Sequence, residues 1–289
     1  IIGNLDAVTG SEFDGTIDDI GLWNDALTAD EVENIFWGGQ NEKPTVNASN
    51  GGYAFKVTAA NSWLKFFNVE YSGPDVGDSS GDGGVIVDEA HSVKISEFYF
   101  KYNRHAIKVL DSDNVEIFAP HIYNCDGALK KGLHARQSHN LYLNYGYYQC
   151  ASEYGITIYY GTGTIINQVS AHDNRIGIEL YGDESYGNYI NESYITHNDL
   201  VGLLIKYSDN NTVYKTEFNE NKYGISFSRA ANGNILQESS FDDNEDYDIH
   251  HGYDHGGVGI PGWENVLIDT EFDDLSIDSE SRLLVKTLI

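Results

Sequence analysis

Seven side chains in the middle of this 289-residue chain are of the types that proton transfer beside a carboxylate requires: Lys108, His134, Arg136, Tyr159, Glu179, Tyr181 and Lys206. They fall in two series. Lys108, His134, Thr157, Glu179, Leu204, Ser226 and His250 recur every 22 to 26 residues, and Leu110, Arg136, Tyr159, Tyr181, Lys206 and Ser228 run beside them two places on. If one turn of backbone takes about two dozen residues, each series is a column rising about 4.8 Å per turn, and Lys108 through Tyr181 share a patch about 15 Å long. Abstracting a proton next to a uronate carboxylate needs a cation to neutralise the carboxylate and a base to take the proton. Lys108, His134, Arg136 and Tyr159 are therefore candidate catalytic residues, with Glu179, Tyr181 and Lys206 as substrate contacts. Outward positions on any such coil are polar, so the same columns also arise without chemistry.

The elements that must position these residues are read from a repeat. Asn174, Asn198, Asn221 and Asn244 each close a near-copy of one unit, and the units open at Gly155, Gly177, Gly202 and Gly224. More divergent copies extend the ladder back to Asn124 and Asn103, and a second ladder reads Asn114, Asn140, Asn188, Asn211 and Asn234. Each unit holds two or three short apolar/polar alternations separated by Asn, Asp or Gly, which is the pattern of strands joined by tight turns. A unit this short has no room for a crossover helix, so the expectation is a coil of about three strands per turn, stacked turn on turn. Asn is expected at the corners because it tolerates left-handed backbone and because its amide can bond to its copy one turn away. Ile107, Leu133, Ile156, Ile178, Leu203, Ile225 and Ile249 are the predicted inward stack.

The pattern resembles the right-handed parallel β-helix of the pectate-lyase-like superfold over roughly residues 51–275. The resemblance implies an all-β, single-stranded solenoid of about nine coils. That superfold hosts lyases, hydrolases, epimerases, phage tailspikes and non-catalytic surface modules, so it does not choose among activities. The paired aspartates and Gly-His-Gly of polygalacturonases, the Arg-x-Pro-x-x-Arg of pectate lyases and the Asp-Pro-His-Asp of alginate epimerases have no counterpart here. Ahead of the coils, Phe13–Phe36 resembles the closing segment of laminin-G or concanavalin-like domains, with Thr28 and Glu31 as a capping box for a short helix. Residues 1–39 are accordingly expected to form a strand-helix cap on the first coil, 40–50 a polar linker, and 51–289 the β-helix with a terminal strand extension.

Charge narrows the partners. The chain carries 17 Lys and Arg against 45 Asp and Glu, a formal charge of −28. That balance repels a phosphate backbone and an anionic bilayer, and no apolar run has transmembrane length, so neither nucleic acid nor membrane insertion is expected. Against this background Lys94, Lys101, Arg104, Lys108, Lys130, Lys131 and Arg136 concentrate positive charge where the candidate strip begins. A strip of this kind would suit an anionic polysaccharide or cell-surface glycan.

Other features call for separate readings. The insertion between Ser72 and Gly84 carries Asp75, Asp78 and Asp82, oxygen ligands of the kind Ca2+ takes. The interruption from His250 to Trp263 carries His250, His251, Asp254 and His255, which zinc or copper would accept. For both, a solvated polar loop is the competing reading. Cys125 and Cys150 lie one coil apart, where a disulfide is geometrically allowed and stacked free thiols are the alternative. Asn47, Asn191 and Asn210 are sequons, compatible with glycosylation. The opening residues read as a processed or excised piece, and the final apolar strand as an edge for self-association. These features favour an extracellular or cell-surface, non-catalytic β-helix module: an adhesion element contacting glycan, or the subunit of an extracellular fibre. The alternative is a lyase, hydrolase or epimerase working on an anionic polysaccharide.

Overall fold

The computed structural model describes residues 45–47, 52–70, 83–123, 130–252, 264–277 and 281–287. Within them every regular element is a β-strand, in three parallel sheets of nine, ten and ten strands. Each coil visits the second sheet, then the third, then the first, as in His105–Leu110, Glu116–Phe118 and His121–Tyr123. Neighbours within a sheet are always one coil apart. The expected β-helix and its number of coils are therefore present. The strand-helix cap expected over 1–39 lies outside the described residues, whereas Thr45–Asn47, in the stretch read as linker, pairs as a strand with Asn68–Glu70. Among the described residues no helix is long and apolar enough to cross a membrane.

Packing follows from the two-residue period. Ile107, Leu133, Ile156, Ile178, Leu203, Ile225 and Ile249 are paired rung to rung and each is fully buried. The three-residue strands of the other two sheets put their central residue inward, as with Leu143, Ile166 and Ile190 in the third and Tyr148, Ala171 and Ile195 in the first. Because every inward side chain sits on its counterpart one coil away, the core is a set of columns rather than a centre.

The repeated glycines and asparagines form a second set of columns. A Cβ on Gly155, Gly177 or Gly202 would stand 2.6–2.7 Å from the carbonyl oxygen of the next glycine in the column, so the rungs close only where the side chain is missing. Beside them the Asn174 side-chain amide and backbone N–H both donate to Asn198 Oδ1, Asn198 does the same to Asn221, and Asn221 to Asn244. A parallel ladder runs Asn188, Asn211, Asn234 and Asn265. Each buried carboxamide thereby satisfies backbone groups that the corner leaves open.

The two reasons given for the asparagines separate in the structure. None of the ladder asparagines has positive φ, so hydrogen bonding alone accounts for them. Asn114 and Asn140 do not belong to the buried ladder; with Asn210, Gly163, Gly187 and Gly233 they form a left-handed corner column. Elsewhere among the described residues the left-handed corners are filled by Glu, Gln, Asp, Tyr, Lys and other residues unbranched at Cβ, and not by Val, Ile or Thr, whose branching raises the cost of that conformation.

Candidate functional site

The outer face of the second sheet carries three columns, each set by strand pairing. The first reads His105, Lys131, Tyr154, Ile176, Val201, Tyr223 and Tyr247. The second reads Lys108, His134, Thr157, Glu179, Leu204, Ser226 and His250, and the third Leu110, Arg136, Tyr159, Tyr181, Lys206 and Ser228. The register expected for the candidate strip is therefore the register observed. Its exposure is not.

Lys108 is 3% exposed, Thr157 2% and Glu179 7%, so these outward residues are buried. The Thr157 hydroxyl donates to Glu179 Oε2 at 3.0 Å, which ties one rung to the next. His134 is half-buried between Lys108 and Thr157, with its ring centroid 6.3 Å from that of His105. His105 is itself buried, and its pKa is driven down to about 2, first by desolvation and then by Lys108, Lys131, His134 and Arg104. Burial first, and the cationic neighbours after it, thus keep this imidazole neutral. Around it the positive charge is narrower than the sequence implied, because Lys94 meets Glu116 at 2.7 Å, Lys130 meets Glu153 at 3.5 Å and Arg136 meets Asp111 at 3.8 Å.

The accessible strip is the middle of the third column, from Arg136 to Lys206, and the corner after it; Leu110 and Ser228 at its ends are buried. Tyr159 and Tyr181 stack with centroids 4.8 Å apart and planes within 6°. Tyr160 packs edge-on against Tyr159 at 4.2 Å, and Tyr207 against Tyr181 at 6.0 Å. Lys206 Nζ stands 5.4 Å over the Tyr181 ring, and the Arg229 guanidinium 5.8 Å over Tyr207. Tyr160 and Arg229 immediately follow their strands and Tyr207 lies within Val201–Asp209, all three in left-handed backbone. Room for the Tyr160 ring comes from Gly182, where a Cβ would lie 2.4 Å from Tyr160 Cδ1. A hydrogen bond with Tyr159 carries Tyr160 up to about 12, and burial followed by the Tyr159 neighbour raises Tyr181. Both phenols therefore stay protonated near neutral pH and serve as hydrogen-bond donors.

Tyr160, Tyr207 and Arg229 were not anticipated from sequence. Each is the next residue after a third-column position, and a reading confined to strand alternation stops one residue short of them.

The remaining candidates fall apart or fall outside. His251 points inward, is 1% exposed and takes the Asn265 amide, so it closes the second ladder; His250 points outward beside Ser226 Oγ at 3.2 Å. Asp254, His255, Asp75, Asp78 and Asp82 lie outside the described residues. Within those described, no group of three or more His, Cys, Asp or Glu side chains is placed to hold a metal. Cys150 sits in a left-handed corner, while Cys125 lies outside the described residues. Of the sequons, Asn47 is exposed, Asn210 occupies an exposed corner, and Asn191 is engaged, donating to Asn167 Oδ1 at 2.7 Å. A shallow cleft of about 410 Å³ lined by Tyr145, Gln168, Glu192, Tyr194 and Lys215 lies away from the strip. There Gln168 donates to Glu192 and Lys215 pairs with Glu238, so its polar groups serve the rung-to-rung ladder.

Three sheets of one-coil-apart parallel strands define a β-solenoid. The chain belongs to the right-handed β-helix region family, whose model matches residues 46–185 and 83–265. Among solved structures it is similar to the periplasmic alginate epimerase AlgG, at 17% identity with a TM-score of 0.68, over 81% of this chain and 61% of that one. It is also similar to the Dettilon tailspike protein gp208, at 15% identity and a TM-score of 0.58, over 81% of this chain and 55% of that one. The chain thus spans about three fifths of the solved proteins it resembles. No curated protein matches the sequence.

Proposed function

We propose that this β-helix acts on an anionic polysaccharide laid along the edge of its second sheet. The observation that carries the reading is the Tyr159–Tyr181 stack, set between Arg136 on the rung before and Lys206 on the rung after, on a chain of charge −28. Cations flanking aromatic rings and neutral phenol donors form a surface that selects a sugar acid over a neutral chain. In this reading Arg136 faces a uronate carboxylate, and His134, two residues before it on the same strand, takes the adjacent proton. The resulting enolate either regains a proton on its other face, giving an epimer, or expels the oxygen β to it, breaking the chain. Lys108 and Glu179, being buried, support His134 and the Thr157 rung rather than touch substrate. Similarity in fold to a periplasmic alginate epimerase supports this substrate class and an envelope setting.

A second reading, a non-catalytic glycan-contact module, draws on that same burial. With Lys108 and Glu179 covered, the accessible residues are better supplied for holding a sugar acid than for transforming it. One experiment separates the two. Uronate polysaccharides are incubated with the protein while unsaturated-uronate absorbance, epimer ratio and binding are followed, for the wild type and for His134→Ala and Arg136→Ala. Product that disappears in both variants supports the enzyme. Binding without product, lost in Arg136→Ala, supports the module. Neither product nor binding overturns the proposal.

A further inference from the structure

The corner between the third sheet and the first holds Tyr145, Gln168, Glu192 and Lys215 on four successive coils, all left-handed with φ between 46° and 55°. Each of their N–H groups donates to the carbonyl that ends the third-sheet strand of the next coil, at Asn167, Asn191, Tyr214 and Gln237 in turn. The four side chains therefore leave one edge of the solenoid in a column, about 4.8 Å apart. Tyr194, two residues after Glu192 on the first sheet, lines with them the cleft of about 410 Å³.

Side-chain size explains why a cleft opens here. The outer column of the first sheet reads Tyr99, His121, Tyr147, Ser170, Tyr194 and Glu217. Its first three rings pack on one another, with centroids 4.6 and 6.2 Å apart. Ser170 ends that pile, and among the described residues no ring packs on Tyr194. At the corner, Tyr145 meets Phe118 edge-on at 5.4 Å on one side and is followed by Gln168 on the other. Tyr145 and Tyr194, each 53% exposed, thus stand two coils apart with the slender Gln168 on the rung between them. Two coils are about 9.6 Å along the axis, enough to admit one pyranose ring.

The polar groups of the cleft are pre-set. Gln168 Nε2 donates to Glu192 Oε2 at 2.9 Å, which holds both side chains, while Gln168 Oε1 and Glu192 Oε1 take no bond among the described residues. Lys215 Nζ, 3.7 Å from Glu238, brings donors to the far edge. Amide and carboxylate oxygens, phenols and an ammonium together match a ring of hydroxyls, and tyrosine faces suit the C–H faces of a sugar. The lining carries one carboxylate against one ammonium, and that ammonium already has an acidic neighbour. An anionic sugar therefore meets no net positive charge here.

We infer that this cleft binds an uncharged pyranose unit of a neutral glycan, apart from the tyrosine strip of the second sheet. The inference does not rest on the strip, which lies on another sheet and is read as taking a sugar of the opposite charge character.

The test titrates the full chain with cellohexaose, mannohexaose and maltohexaose, and with an oligouronate of the same length, followed by saturation-transfer NMR. At least one neutral oligosaccharide is expected to bind. Tyr194→Ala should weaken it about tenfold, and so should Tyr145→Gly, a residue that suits the left-handed corner. Glu192→Gln keeps a partner for Gln168 but loses the charged acceptor, and should weaken binding about threefold. Tyr142→Ala removes an equally open tyrosine from the third sheet, 43% exposed, and should leave affinity within about twofold. The inference is overturned by silence from all three neutral sugars, or by binding that Tyr194→Ala and Tyr145→Gly leave unchanged. Equal losses in Tyr142→Ala, or an oligouronate held more tightly through Tyr194, overturn it as well. Because the strip is tested with other ligands and other variants, either reading can fail alone.

Discussion

Asn265 donates its side-chain amide to His251 Nε2 at 2.7 Å, and this contact terminates the asparagine ladder that begins at Asn188. Each amide in that ladder is accepted by the carbonyl oxygen of the next, so the last member needs an acceptor that is not an asparagine. An inward imidazole supplies it, with the proton on Nδ1 by implication. His251→Ala is therefore expected to cost about 1–3 kcal/mol, the penalty of an orphaned buried donor. Thermal unfolding checks this, and metal analysis of protein purified without added ions should give the same content for wild type and variant. A metal lost on substitution would mean that His251 is a ligand after all.

Asn210 and Asn211 are adjacent and are expected to behave oppositely. Asn211 accepts from both nitrogens of Asn188 and donates to Asn234 and Ser208, all buried. Asn211→Ala removes several of these at once and should cost about 2–4 kcal/mol. Asn210 sits in an exposed corner at φ 53°, a conformation glycine adopts freely, so Asn210→Gly should change stability by less than about 0.5 kcal/mol. Denaturation midpoints of the two variants decide it, and similar losses in both would contradict the division of roles.

His105 makes stability depend on pH. Its folded pKa of about 2 lies below the 6.5 of the unfolded chain, so the unfolded state binds the extra proton as pH falls. The contribution is complete above pH 6.5 and is progressively lost below it, amounting to about 2 kcal/mol at pH 5. His105→Asn cannot titrate. The stability difference between wild type and variant should shift against the wild type between pH 7.5 and pH 5, and a pH-independent difference would show that burial and the cationic neighbours do not hold this imidazole neutral.

The Cys125–Cys150 bridge is a proposal that mass spectrometry settles directly, since a non-reducing digest should contain both cysteines in one linked peptide. Closing a loop of about two dozen residues stabilises by about 3 kcal/mol in the chain-entropy account, so reduction should lower the unfolding temperature. Two separate alkylated peptides from unreduced protein would exclude the bridge.

The register was legible in the sequence because a solenoid repeats its constraints. Ile107 to Ile249 must stay apolar on every coil, and Gly155, Gly177 and Gly202 must stay small, so the period is written many times over. Exposure was not legible. Alternation distinguishes inward from outward at Glu179 or Leu204, but whether an outward position meets water depends on what lies across the sheet. Corner chemistry was half legible: asparagine marks both the hydrogen-bonded ladder and the left-handed column, and Asn114 and Asn211 look alike until their backbone angles are known. Tyr160, Tyr207 and Arg229 escaped notice because a corner can place side chains on a face that strand alternation does not reach.

The tyrosine strip yields a contrast that a purely structural role would not produce. Tyr181 contacts Tyr159, Tyr207 and Lys206, whereas Lys108 lies on the same sheet but is buried. If a uronate polysaccharide lies on the third column, Tyr181→Ala should weaken its binding about tenfold by removing the central ring of the platform. Arg136→Ala should weaken it comparably and flatten its salt dependence, because a screened charge contact is removed. Lys108→Met, remote from the accessible strip, should alter the unfolding temperature while leaving affinity within about twofold, since it removes no contact to the ligand. Titration calorimetry at two salt concentrations reads all three variants. Loss of binding in Lys108→Met at temperatures where that variant is fully folded would place the ligand across the second column instead.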